Sequence, residues 1–89
     1  MSKIDSIDSL RRFVAGRRVA ADEYEQLAKE YRSTAHMNAV RGKTNRSDSA
    51  AAVAQDYDRK AREAREAARS TLRTIEQLEA QADHPAAAE

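Results

Sequence analysis

Cysteine is absent from the 89-residue chain, which excludes disulfides, thiolate metal sites and a cysteine nucleophile. Proline occurs once, at Pro85, and glycine twice, at Gly16 and Gly42, so little interrupts helical structure. Large core formers are scarce: four Val, three Ile, four Leu and one Phe. Twelve such residues fall short of the roughly 20% share below which chains become disordered. Disorder also calls for a large net charge, however, and here it is only +1. No apolar run reaches the ~18 residues of a membrane span, and MSKIDSIDSLRRF at the N-terminus lacks the apolar core of a signal peptide. A cytoplasmic protein without membrane association is expected. The two histidines, His36 and His84, have no second histidine or carboxylate at helical spacing, so neither a metal nor another cofactor is expected. The acids are plentiful but dispersed, with no positioned pair for general acid–base work, and no enzymatic activity is expected.

What the chain does have is alanine, nineteen residues of it, accompanied by Glu, Arg, Gln, Lys and Leu. These are the strong helix formers. From Ser49 to Ala82 the residues Ala50, Val53, Tyr57, Ala61, Ala64, Ala68, Leu72 and Ile75 follow one another at steps of three or four. Several pairs, such as Tyr57 with Ala68, lie eleven apart, the spacing that keeps one face of a nearly straight helix. From Val19 to Val40 the face Ala20, Tyr24, Ala28, Tyr31, Ala35 and Ala39 repeats the pattern, with Leu27 beside it. Residues 4–15 form a shorter amphipathic helix on Ile4, Ile7, Leu10 and Val14, and Gly16 marks either a break or a kink after it.

The connector 41–48 has stop and start chemistry: Gly42 suits the residue just past a helix, and Ser47 or Asp48 suits an N-cap. Folding the chain there places Tyr57 near Tyr31, Ala61 near Ala28, Ala64 near Tyr24 and Ala68 near Ala20. Leu72, Ile75 and Leu78 then fall beside Arg17, Val14 and Leu10. The expected fold is all-α: a long antiparallel, coiled-coil-like hairpin with an alanine-rich seam, formed by one domain over 1–82. Its elements are helices over about 4–15, 19–40 and 49–82, and a disordered tail follows over 83–89. The packing seam comprises Tyr24, Tyr31, Tyr57, Ala61, Ala64, Ala68, Leu72 and Ile75. Because alanine buries little area, a homodimer or higher oligomer is expected to cover the remaining apolar surface.

Two basic clusters stand out. Arg41, Lys43 and Arg46 lie in the connector with no acid among them, and Arg11, Arg12, Arg17 and Arg18 lie near the other end of the hairpin. Gly42-Lys43-Thr44 has the end of a phosphate-binding loop, but the required first glycine falls on Met37 and no strand precedes it, so that motif is rejected. An antiparallel dimer would bring one chain's connector towards the other's arginine cluster. The tyrosines suit packing opposite alanine, with base stacking as the sharper alternative. Arg62, Arg69 and Arg73 share a face with Asp58, Glu66 and Glu76 and read as a solvated, ion-paired surface. Residues 1–46 hold ten bases and six acids and residues 47–89 hold six and nine, net +4 against −3, which favours pairing of the two halves.

The function expected from these features is that of a small non-enzymatic protein-interaction module, an adaptor or inhibitor, for which a phage or bacterial regulatory factor is a fitting class. Binding of nucleic acid or nucleotide phosphate through the two basic clusters is the alternative, and a purely structural self-assembling protein is a third.

Overall fold

The computed structural model describes the backbone of residues 3–83 and the side chains of residues 6–82. Two helices account for nearly all of it, α1 (Lys3–Val40) and α2 (Thr44–Asp83), packed against each other as an antiparallel hairpin. The result is a rod of 71 × 16 × 14 Å. The disordered tail expected for 83–89 lies outside the described residues except at Asp83, where α2 is still helical.

The turn explains itself residue by residue. The Gly42 N–H donates to the Ala39 carbonyl at 3.0 Å and the Lys43 N–H to the Asn38 carbonyl at 2.8 Å, while Gly42 sits at φ 75°. This is the Schellman pattern, in which a left-handed residue just past the helix lets two otherwise unpaired carbonyls be satisfied. Only glycine adopts that φ without a Cβ penalty. Because Arg41, Gly42 and Lys43 complete the reversal, α2 starts at Thr44 rather than at Ser49, which shortens the expected eight-residue connector. Ser47 is therefore no N-cap. It lies in the first turn of α2, and its hydroxyl donates across the seam to the Ala35 carbonyl at 2.8 Å.

Gly16 neither breaks nor ends α1, which runs through it as one helix of 38 residues. The good helix formers on both sides outweigh its cost of about 1 kcal/mol.

The seam repeats every seven residues, and this corrects the eleven-residue reading. Ile7, Val14, Ala21, Ala28 and Ala35 are all buried, and each lies seven from the next. Three residues after each come Leu10, Arg17, Tyr24, Tyr31 and Asn38, all half-buried except Tyr31 at the exposed edge. On α2 the corresponding rows are Ser47, Ala54, Ala61, Ala68, Ile75 and Ala50, Tyr57, Ala64, Thr71, Leu78, of which six residues are buried and the other four half-buried. Seven is the period of left-handed coiled-coil packing. The inward alanine is consequently Ala54, 2% exposed, and not Val53, 37% exposed; on α1 it is Ala21 and not Ala20.

The open end of the hairpin carries the large side chains. Ile7, Val14, Ala68 and Ile75 form a cluster, with Leu10, Leu72 and Leu78 packed against it. This matches the expected placement of Ile75 and Leu78 beside Val14 and Leu10. Towards the turn every buried seam residue is alanine, which lets the helix backbones come close.

Candidate interaction surfaces

The seven-residue seam divides the rod into two flanks of different chemistry. One flank holds every ion pair between the helices among the described residues. Arg11 reaches Glu79 at 2.5 Å, Arg32 reaches Asp58 at 2.7 Å, and Arg65 holds Glu25 at 2.8 Å and Asp22 at 3.0 Å. The hydrogen bonds that the Arg65 guanidinium donates, to Glu25 first and then to Asp22, raise its pKa above the ordinary value. Such exposed pairs are worth at most ~1 kcal/mol each, and their role is chiefly to fix the register.

The other flank carries or borders all four aromatic residues. The Tyr57 ring stacks between those of Tyr24 and Tyr31, with centroids 5.9 and 5.8 Å away and planes inclined by 26° in both cases. The Lys60 ammonium sits 5.3 Å from the centre of the Tyr57 ring. The three tyrosines thus stack on one another. Phe13 lies further along this flank and is 48% exposed.

The basic residues separate into three settings. Arg41, Lys43 and Arg46 are exposed at the turn and make no ion pair among the described residues. Lys43 and Arg46, with Gly42, Thr44 and Asn45, line a shallow depression of about 380 Å³. Within the second cluster Arg11 is ion-paired, the Arg12 Nε donates to the Asp8 carbonyl at 3.4 Å, and Arg17 is half-buried at the seam. Arg18 instead lines a depression of about 140 Å³ with Arg65, Arg69, Ala68 and Leu72. Some 23 residues of α1 separate Arg18 from Arg41, about 35 Å, so one chain does not bring the two clusters together.

Sequence reasoning missed the grouping of Arg18 with Arg65 and Arg69. The sequence places Arg69 on a solvated, ion-paired face, yet neither it nor Arg18 has an acidic partner among the described residues. Ion pairing within α2 is confined, among the described residues, to Arg59 and Lys60. Arg59 bonds to Asp56 and Glu63, and Lys60 lies 3.5 Å from Asp56. The Arg59 hydrogen bond holds the Asp56 carboxyl below its ordinary pKa.

Among the described residues no helix is long and apolar enough to cross a membrane, and no group of acids and histidines is placed to hold a metal. No protein-family model, curated protein or solved structure matches the chain.

Proposed function

We propose that this hairpin is a small non-enzymatic protein-interaction module, an adaptor or inhibitor in the cytoplasm, which recognises an acidic protein surface with its outer helix faces. The observation that carries this reading is that Arg18 and Arg69 have no acidic partner among the described residues, on the flank where Arg11, Arg32 and Arg65 pair across the seam. Arg18 and Arg69 flank a shallow apolar floor of Ala68 and Leu72. Arginine beside an apolar contact is the composition of interface anchors, since the guanidinium supplies directed hydrogen bonds and its stem covers apolar surface. The depressions are shallow and lie on the outside of a rod 14 to 16 Å across, which suits recognition of a surface more than enclosure of a small molecule. The test is quantitative capture of partners from native lysate by the wild type and by the double variant Arg18→Glu/Arg69→Glu. Loss of the captured protein with helicity unchanged is the expected result; equal capture by both would refute the reading.

A second reading, binding of nucleic acid phosphate at the turn, is favoured by one specific observation. Arg41, Lys43 and Arg46 stand exposed together with no carboxylate paired to any of them among the described residues. Three phosphate contacts to a duplex predict that log affinity falls with log salt at a slope of about −2.7. Binding unaffected by replacing all three with serine removes this reading.

A further inference from the structure

Among the described residues the aromatic flank at the open end has no charged side chain at its outward positions, in a chain that is 35% charged. Ser9, Phe13 and Gly16 present it from α1, and Ser70, Thr74 and Gln77 from α2, all of them exposed. Arg17, half-buried, borders it from the seam.

Gly16 is unexplained by the single hairpin. It lies in the interior of a long helix, where only proline is a worse choice. Its φ is ordinary, and a Cβ built there meets nothing within 4 Å. Nothing inside the chain requires its small size, so the chain carries a helix-weakening residue on an open face. A backbone approaching from outside would account for it, because glycine admits close contact that any side chain would block.

The surface area points the same way. The chain exposes 6537 Å², whereas a compact monomer of its mass exposes about 5,200 Å². The surplus is that of a rod 71 Å long against a compact body, and one flank of a rod of that length has room for the ~800 Å² that each partner buries in a stable interface.

We propose that this flank is the interface between two copies of the chain, related by a twofold axis passing between Phe13 and Gly16. The two residues lie three apart on the same helix face, so the axis places each phenyl ring over the glycine backbone of the other copy. The surface is thereby self-complementary, as a twofold interface must be. Aromatic side chains at the centre of an uncharged patch are the usual anchors of such contacts. The ion-paired flank and the turn stay free in this arrangement, so the proposal stands independently of the acidic-partner reading.

Sedimentation equilibrium on the full chain tests it, with Phe13→Glu, Gly16→Leu and Gly16→Ala beside the wild type and Arg62→Ser as a control on the other flank. The wild type is expected at 19.8 kDa, twice the 9.9 kDa of one chain. Phe13→Glu and Gly16→Leu should weaken association by about tenfold or more while circular dichroism stays helical. Gly16→Ala should also weaken it although alanine is the better helix former, and it carries the test if the leucine variant loses helicity. Arg62→Ser should leave association unchanged. A wild type monomeric at every accessible concentration overturns the proposal, as does a dimer whose affinity Phe13→Glu and Gly16→Ala both leave intact. Capture of an acidic partner by a monomeric wild type overturns this proposal alone.

Discussion

The open half of the hairpin and the half nearest the turn are held by different physics. At the open end Ile7, Val14 and Ile75 are buried and Leu10, Leu72 and Leu78 pack around them, so stability there comes from apolar area. Nearer the turn Ala21, Ala28, Ala54 and Ala61 are at most 3% exposed but contribute little area each. What holds that half is the close approach alanine allows, the tyrosine stack, and the tight turn. One half is therefore sensitive to removing atoms and the other to adding them.

That contrast can be broken by substitution, beginning with the largest effect. Ile75→Ala should cost about 2–4 kcal/mol in thermal or denaturant unfolding, since it removes the centre of the aliphatic cluster. Ala28→Leu should cost about 1–3 kcal/mol for the opposite reason, because the added side chain forces the helices apart. If Ala28→Leu instead stabilised the protein, the close-packed seam would be wrong. Gly42→Ala places a Cβ on a residue at φ 75° and should cost about 1–2 kcal/mol, with helicity lost first around the turn. Ser47→Ala removes the hydroxyl bonded to the Ala35 carbonyl and should cost about 1 kcal/mol. Arg32→Ala, breaking an exposed pair with Asp58, should cost about 0.5 kcal/mol or less and lose even that in high salt.

Much of this was legible in the sequence. Helix formers, two widely spaced glycines and a basic connector between apolar patterns point to a hairpin, and folding the chain at that connector places Ile75 and Leu78 beside Val14 and Leu10. The phase of the seam was harder to read for a physical reason. Neighbouring alanines such as Ala20 and Ala21, or Ala67 and Ala68, permit two small-residue stripes about 100° apart on the same helix, and periodicity alone does not choose between them. The spacing of seven between Ile7 and Val14, and again between Tyr24 and Tyr31, was the signal that selects the correct stripe. The capping role expected of Ser47 failed because the turn closes within three residues, leaving the hydroxyl to reach across the seam. The grouping of Arg69 with Arg18 was not legible because the two belong to different helices, and the depression they share exists only once the register is set.

The division into an ion-paired and an aromatic flank follows from that register, so the seven-residue seam is the claim on which the rest depends. The most direct measurement is the thermal unfolding of Ala54→Glu beside Val53→Glu. A seam of period seven predicts that glutamate at 54, in the buried row, collapses the melting temperature, whereas glutamate at 53, on the half-exposed edge, leaves it within a few degrees. The reverse order, with Val53→Glu the damaging change, would contradict the account.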